Sequence, residues 1–99
     1  MLMEGGEGET IRVRTPRGKE TIGTVIEVLG GSRFRVQCTD GRERLCRVPG
    51  RSKRKMFVKI GDVILVEPWS IEGDAKGDII WRYKPAQVGW LASKGLLKQ

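Results

Sequence analysis

The amino-acid sequence predicts an all-β fold, a small Greek-key barrel of five strands followed by a short helix. Five short segments rich in β-branched and aromatic residues are separated by Gly, Pro and Asp turn signals at short intervals. The first segment contains Gly23, which is typical of a bulge or bend that lets a strand curl. A longer connection separates the third segment from the fourth, as in small Greek-key barrels.

The first three strands are predicted from residue type and alternation. Residues 21–29 are rich in Thr, Ile and Val and end at the Gly30-Gly31 turn, which favours a strand. Residues 33–38 alternate strictly between apolar and polar side chains, as a half-buried strand does. Asp40-Gly41 predicts a hairpin turn, and residues 42–48 are the returning strand. The apolar face of the second strand carries Phe34, Val36 and Cys38, and the other face carries Arg33, Arg35 and Gln37.

The register of this hairpin stays open from the sequence. A two-residue turn would set Leu45 beside Val36, whereas a three-residue turn would set Cys46 beside Phe34. A slip of one residue exchanges the two faces of a strand, so the outward-facing arginines of the third strand are not assigned.

The second half of the chain predicts two strands and a helix. Val63–Val66 is a continuous apolar run, as in a strand buried on both sides, and residues 71–77 form an acidic loop. Residues 78–83 form the fifth strand, with Ile79, Trp81 and Tyr83 on one face. Pro85 can open a helix at its first turn. The apolar side of that helix is Val88, Leu91, Ala92 and Gly95.

These elements predict the OB-fold, and an SH3-like barrel is the main alternative. The number of strands and the connection between the third and the fourth favour the OB-fold. We expect a flexible N-terminal tail with a basic arm at 1–19, the barrel at 20–84 and a helix packed on it at 85–99. The basic arm consists of Arg12, Arg14, Arg17 and Lys19. The alternative is a solvated linker with no binding role.

The composition excludes several classes of protein. Ninety-nine residues suit a single small domain, and no apolar run approaches the roughly 18 residues of a membrane span. We therefore expect a cytoplasmic monomer with no membrane contact. The chain has no His, the commonest general base, and no P-loop, so we expect neither an enzyme nor a cofactor. Cys38 and Cys46 cannot assemble a four-ligand zinc site and are out of register for a disulfide, which predicts buried thiols.

A dense basic segment lies on the predicted hairpin and the loop after it. Residues 33–59 contain ten basic and two acidic residues, a net charge of +8, against +7 for the whole chain. A solvated charged face is the usual explanation of such a run, but this density on adjacent strands indicates a surface that binds a polyanion, foremost nucleic acid. Phe57 is the best candidate to stack on a base, although it could equally plug the core. Because few aromatic residues are expected to be exposed, the pattern favours recognition of the shape and backbone of folded RNA over binding of a single strand.

Ordered sequence blocks resemble a known family. TDGRERLCRVPGR at 39–51, KRKMFV at 53–58, GDVILV at 61–66 and DIIWRY at 78–83 follow the pattern of translation initiation factor 1A in the same order. The resemblance covers about residues 10–97. The chain ends without the long acidic tail of eukaryotic versions, so it resembles the archaeal form, and contact of that tail with the subunit-joining GTPase is in doubt.

The resemblance implies a factor that binds the decoding A site of the small ribosomal subunit through its rRNA. Such a factor promotes positioning of initiator tRNA and mRNA, and its neighbours would be ribosomal proteins and the subunit-joining GTPase. A cold-shock-like chaperone of single-stranded RNA and a ribosomal structural protein are the alternatives. The residues expected to contact RNA are Arg33, Arg42, Arg44, Arg47, Arg51, Lys53, Arg54, Lys55 and Phe57, with Arg12, Arg14, Arg17 and Lys19 of the arm.

Overall fold

Five strands form a closed barrel in the computed structural model, which describes residues 13–50 and 56–97. The strands are β1 Thr21–Gly30, β2 Arg33–Cys38, β3 Glu43–Arg47, β4 Val63–Pro68 and β5 Lys76–Arg82, and the helix is α1 Pro85–Ser93. Their order around the barrel is β1-β2-β3-β5-β4, and β4 closes on β1. Only the β3–β5 pair of the described strands is parallel. This topology confirms the predicted five-stranded OB barrel with a C-terminal helix.

The β2–β3 hairpin has the register of a three-residue turn. Cys46 pairs with Phe34 and Arg33 with Arg47, and the amide of Gly41 closes the turn on the carbonyl of Cys38 at 3.0 Å. The inward side chains of β3 are consequently Arg44 and Cys46. The sequence left this register open, and the fold selects it because it buries Cys46 beside Phe34 in the barrel.

Gly23 is needed for close packing, and the irregularities of β1 lie elsewhere. It belongs to two regular ladders, opposite Cys38 and Ile64, while the register of β1 shifts after Val25 and again after Val28. A Cβ at Gly23 would lie 2.4 Å from Cγ1 of Val36. Of the predicted bulge or bend at Gly23, the bulge is wrong, because Gly23 is regularly paired on both sides and its missing side chain leaves room for Val36 inside the barrel.

β4 is buried on both faces, as its apolar run predicted. Ile64 and Val66 point into the barrel, and Leu65 packs on the other side beneath α1 with Leu91. Every one of these four side chains is fully buried. The strand thus separates the two apolar clusters found among residues 13–50 and 56–97.

The predicted common face of β5 is wrong. Its register against β4 shifts so that Ile80 is an extra residue between Ile79 and Trp81. Ile79 consequently lies in the barrel, Tyr83 lies beneath the helix, and Trp81 is partly exposed. A bulge exchanges the faces of a strand, and periodicity alone does not reveal it.

The helix packs as predicted through Leu91 and Val88, but Ala92 and Gly95 are exposed. Gly95 follows the helix in a left-handed conformation at φ +74. No helix within 13–50 or 56–97 has the length and apolar character that crossing a bilayer demands.

Part of the predicted N-terminal arm lies against the barrel. Val13 packs on the cluster beneath the helix, and the hydroxyl of Tyr83 donates a hydrogen bond to the carbonyl of Arg14. The predicted tail before Val13 lies outside the described residues, and the division into 1–19, 20–84 and 85–99 stays a prediction.

Candidate nucleic-acid interface

The outer face of the barrel is formed by alternate residues of three adjacent strands. On β2 it carries Arg33 and Arg35, and on β3 the register places Arg47 opposite Arg33. The parallel pairing of β3 with β5 adds Lys76 and Asp78 to this face. In OB-folds the β2–β3 surface and the adjoining β1–β2 and β4–β5 loops bind oligonucleotides. The predicted basic surface therefore lies where this fold binds its ligands.

Acidic residues of the hairpin itself and of neighbouring strands offset part of this charge. Arg35 bridges Glu27 on β1 at 2.9 Å and Glu43 on β3 at 3.4 Å. These carboxylates raise the pKa of Arg35, through the hydrogen bond from Arg35 to Glu27 first. Exposed pairs of this kind contribute little stability, so their main effect is on the direction of the arginine and on the local charge.

Two of the predicted RNA contacts are exposed and ion-paired. Arg42 lies 3.4 Å from Asp74 of the β4–β5 loop, and Arg47 Nε donates to Asp78 of β5 at 3.0 Å. Their side chains are 52% and 56% exposed, so each remains accessible to a ligand. The acidic partners are distant in sequence and were not apparent from the hairpin alone.

Arg44 has an internal role. Its side chain is 4% exposed, and its two terminal nitrogens donate to the carboxylate of Asp40 at 3.1 and 2.9 Å. Its Nε donates to the carbonyl of Gly73 at 2.6 Å. Burial opposes the charge, but hydrogen bonds and charge interactions with Asp40 and Cys38 together more than offset it and raise the pKa of Arg44. The hydrogen bond from Arg44 also holds the pKa of Asp40 below its usual value. Arg44 joins the hairpin turn to the β4–β5 loop, so we remove it from the set of RNA contacts.

Three other predicted cations are exposed: Arg17, Lys19 and Arg33. Like the exposed Lys59, which was not among the predicted contacts, they take part in no ion pair within the described ranges. Lys19 lines a cleft of about 510 Å³ between the hairpin turn and the β4–β5 loop. The remaining predicted cations, Arg12, Arg51, Lys53, Arg54 and Lys55, lie outside the described residues.

Arg14 differs from the rest of the basic arm. It lies 3.8 Å from Glu20, and its guanidinium is 6.0 Å from the ring centroid of Trp81. This position is at the β5 end near Tyr83, whose pKa is raised to about 12 by burial. The arm therefore presents Arg14 and Lys19 at separate places on the barrel.

Phe57 is 89% exposed, so it does not plug the core. Its neighbours Met56 and Val58 pack against the barrel cluster and hold it outward. An exposed aromatic ring beside a basic segment can stack on an unpaired base. A cleft of about 240 Å³ adjoins it, lined by Val28, Ser32, Phe34, Val48, Met56, Phe57 and Val58.

Sequence reasoning missed three residues of the outer face: Trp69, Lys76 and Asp78. Trp69 lies in the β4–β5 loop, and its indole nitrogen donates to Asp78 at 2.9 Å. The Arg47 guanidinium lies 5.0 Å from the Trp69 ring centroid. The available signal was the position of this tryptophan directly after a strand, in a loop that borders the ligand face of an OB-fold.

The two cysteines are buried free thiols, as predicted. Cys38 and Cys46 both lie in the barrel cluster. Burial raises the pKa of Cys38 and raises that of Cys46 to about 12. Neutral, inaccessible thiols are poor nucleophiles and metal ligands, so their contribution is packing.

Fold and surface together define an OB-fold protein with basic residues on the outer face of its barrel and an exposed aromatic ring at Phe57. The family model of translation initiation factor 1A / IF-1 matches residues 9–99. Translation initiation factor 1A of Methanococcus aeolicus is 52% identical over 90 residues, which cover 89% of this chain and 86% of that protein. The factor of Archaeoglobus fulgidus is 47% identical over 94 residues, covering 93% and 96%.

A solved structure agrees with these relatives. The solution structure of translation initiation factor IF-1 from the Wolbachia endosymbiont of Brugia malayi superimposes with a TM-score of 0.51 at 35% identity. The match covers 67% of this chain and 78% of that one. The chain belongs to the translation initiation factor 1A/IF-1 family. This is a family of non-enzymatic OB-fold factors, which confirms the expectation that the chain is not an enzyme.

Proposed function

We propose that this protein is an initiation factor that binds the small ribosomal subunit at the decoding A site through contacts with rRNA. The observation that carries the proposal is the exposed basic face of an OB barrel in a chain of this family. There it promotes the positioning of initiator tRNA and mRNA. It acts as a monomer in the cytoplasm, and neighbouring ribosomal proteins and the subunit-joining GTPase are its further partners.

The charges of the described residues support an RNA ligand. Arg33 is exposed without an ion pair in the described ranges, and Arg42 and Arg47 keep exposed guanidinium groups on the same hairpin. Arginine forks match phosphate oxygens and guanine edges in geometry as well as charge. Most affinity from such contacts comes from counterion release and falls as salt rises.

Cosedimentation with purified archaeal small subunits across a salt series tests the proposal. We expect saturation at about one factor per subunit, loss of binding as salt rises, and competition by tRNA bound in the A site. An equal mass of unstructured RNA is the comparison. Equal, non-saturating binding to both RNAs would contradict an A-site factor.

Variants distinguish a loss of subunit binding from a loss of folding. Replacing Arg51, Lys53, Arg54 and Lys55 together by Ala should abolish subunit binding, and we expect the free energy of unfolding to change by no more than roughly 0.5 kcal/mol per substitution. Lys94→Ala, which removes one positive charge at the C-terminal end of α1, is the control for losing a charge elsewhere on the chain. Unchanged binding of the fourfold variant would remove these four residues from the interface.

The exposure of Phe57 supports one second candidate, a cold-shock-like chaperone of single-stranded RNA. Stacking on an exposed ring contributes about 1–3 kcal/mol per base and tolerates any sequence. Preference for short single strands over subunits, lost in Phe57→Ala, would favour this candidate. A ribosomal structural protein would instead stay on the subunits through a high-salt wash.

A further inference from the structure

A small cleft lies where the outer face meets the β4–β5 loop, with a volume of about 200 Å³. Its lining residues are Arg33, Leu45, Cys46, Arg47, Trp69 and Lys76. Three of the six are cationic and one is a tryptophan. The three cationic side chains make the cleft suited to an anion.

The strand registers bring these cations together at a cost in stability. Arg33 lies directly opposite Arg47, and Lys76 lies opposite Leu45 on the next strand. Like charges directly opposite each other on neighbouring strands are destabilising. Asp78 pairs with Arg47 and Glu72 with Lys76, the latter at 3.4 Å, so two carboxylates serve three cations. An anionic ligand would neutralise the remaining positive charge.

Asp78 fixes the direction of Arg47. One oxygen of its carboxylate, Oδ1, accepts both Arg47 Nε at 3.0 Å and Trp69 Nε1 at 2.9 Å. The Arg47 guanidinium is 5.0 Å from the Trp69 ring centroid, and the Lys76 ammonium is 5.5 Å from it. Because Asp78 occupies Nε, the two Nη groups of Arg47 remain as the donors that a ligand can use. A held guanidinium loses little further entropy when it binds.

We propose that this cleft binds one backbone phosphate of RNA, with Arg33, Arg47 and Lys76 as its ligands and Asp78 as the positioning residue for Arg47. The inference rests on the RNA-binding function proposed above. Phosphate is favoured over a protein carboxylate because its tetrahedral oxygens can be approached by several cations at once. It also suits the bidentate arginine fork.

The variant Asp78→Asn tests this arrangement, because the two possible roles of Asp78 predict opposite changes in RNA affinity. If Asp78 merely placed a negative charge near RNA, its neutralisation would tighten binding. If it aims Arg47, the amide holds Nε more weakly and binding weakens, by about threefold from the loss of a charge-assisted bond. In an Arg47→Ala background, Asp78→Asn should then no longer weaken binding. Tighter binding of the single variant would overturn the positioning role.

Cation variants test the phosphate site itself. Each of the variants Arg47→Ala and Lys76→Ala should weaken binding to small subunits by about tenfold. Each should also reduce the slope of log affinity against log salt by about one, the loss of one phosphate contact. Lys94→Ala should change affinity by less than about twofold, since it lies outside the cleft. Wild-type affinity in both cleft variants would overturn the proposal while leaving subunit binding, and hence the proposed function, intact. If the wild-type chain does not bind subunits at all, the proposed function itself fails.

Competitors identify the source of the anion. With Trp81→Phe and Trp90→Phe, the fluorescence of Trp69 reports on the cleft, and we expect RNA to change it in a salt-dependent way. Inorganic phosphate at the same phosphate concentration should have little effect, because RNA adds contacts outside the cleft. An equal effect of free phosphate, or stronger binding of a polyglutamate peptide than of RNA, would overturn an RNA ligand.

Discussion

Arg42 and Arg44 form a natural matched pair for separating stability from binding. Arg42 directly precedes β3 and Arg44 is its second residue, yet the Arg44 side chain is 4% exposed and that of Arg42 is 52% exposed. We predict that Arg44→Ala lowers the free energy of unfolding by about 2–3 kcal/mol. Arg42→Ala should change it by less than about 0.5 kcal/mol.

The magnitude follows from the partners of each side chain. Arg44 makes two hydrogen bonds to Asp40 and one to the carbonyl of Gly73, and a hydrogen bond to a charged group is worth about 1.5–3 kcal/mol. The Asp40 side chain is 38% exposed, so water replaces part of what it loses, and we discount its share. The single contact of Arg42 with Asp74, whose side chain is 78% exposed, is screened by solvent.

Urea unfolding followed by circular dichroism measures both variants against the wild type. The pH dependence gives a second check, because the hydrogen bond from Arg44 lowers the folded-state pKa of Asp40. A lowered carboxyl pKa stabilises the fold above the unfolded value of about 3.9 and loses that contribution as pH falls through the folded value. Arg44→Ala should lose this acid-dependent part. Equal unfolding free energies for the two variants would refute a structural role for Arg44.

Three further predictions concern the core. Gly23→Ala should lower the free energy of unfolding by about 1–3 kcal/mol, since its methyl group would overlap Val36; denaturant unfolding measures this, and an unchanged midpoint would contradict it. Tyr83→Phe should cost about 1 kcal/mol and increase hydrogen exchange near Arg14, because it removes the bond to that carbonyl. Cys46, with its pKa raised to about 12 by burial, should react with a thiol reagent only in unfolding concentrations of urea; rapid reaction of the native protein would argue against a closed core.

Much of the barrel was predictable because the apolar residues of each strand are the ones that the fold buries. The alternation of β2 places Phe34, Val36 and Cys38 inside, and all three are buried. The continuous apolar run of β4 correctly indicated a strand between two apolar layers, where Leu65 packs under the helix. Pro85 opens α1 at its first turn, as its fixed backbone favours.

The remaining features depend on contacts between distant residues. The register of the hairpin depends on which side chains the barrel can bury, and the same choice turns Arg44 inward toward Gly73 of another loop. The extra residue at Ile80 arises from the pairing of β5 with β4 and leaves no periodic signal. Trp69 and Asp78 join Arg47 only because β3 and β5 are adjacent and parallel.

The ion pairs between the arginines and nearby carboxylates change how the charge of the basic hairpin is interpreted. A count of charges treats each arginine as an equal attraction for a polyanion, whereas Arg44 is internal and Arg35 and Arg47 are held by carboxylates. In the latter two, a carboxylate accepts from Nε; Nη1 of Arg35 also donates to Glu43, so its Nη2 remains for a ligand, and both terminal nitrogens of Arg47 remain. Such pairs reduce the net charge of the face but fix the direction of the fork, so less entropy is lost when a phosphate binds. The acids of β1 and β5 thus convert general attraction into preferred positions on the surface, which the sequence of the hairpin alone does not contain.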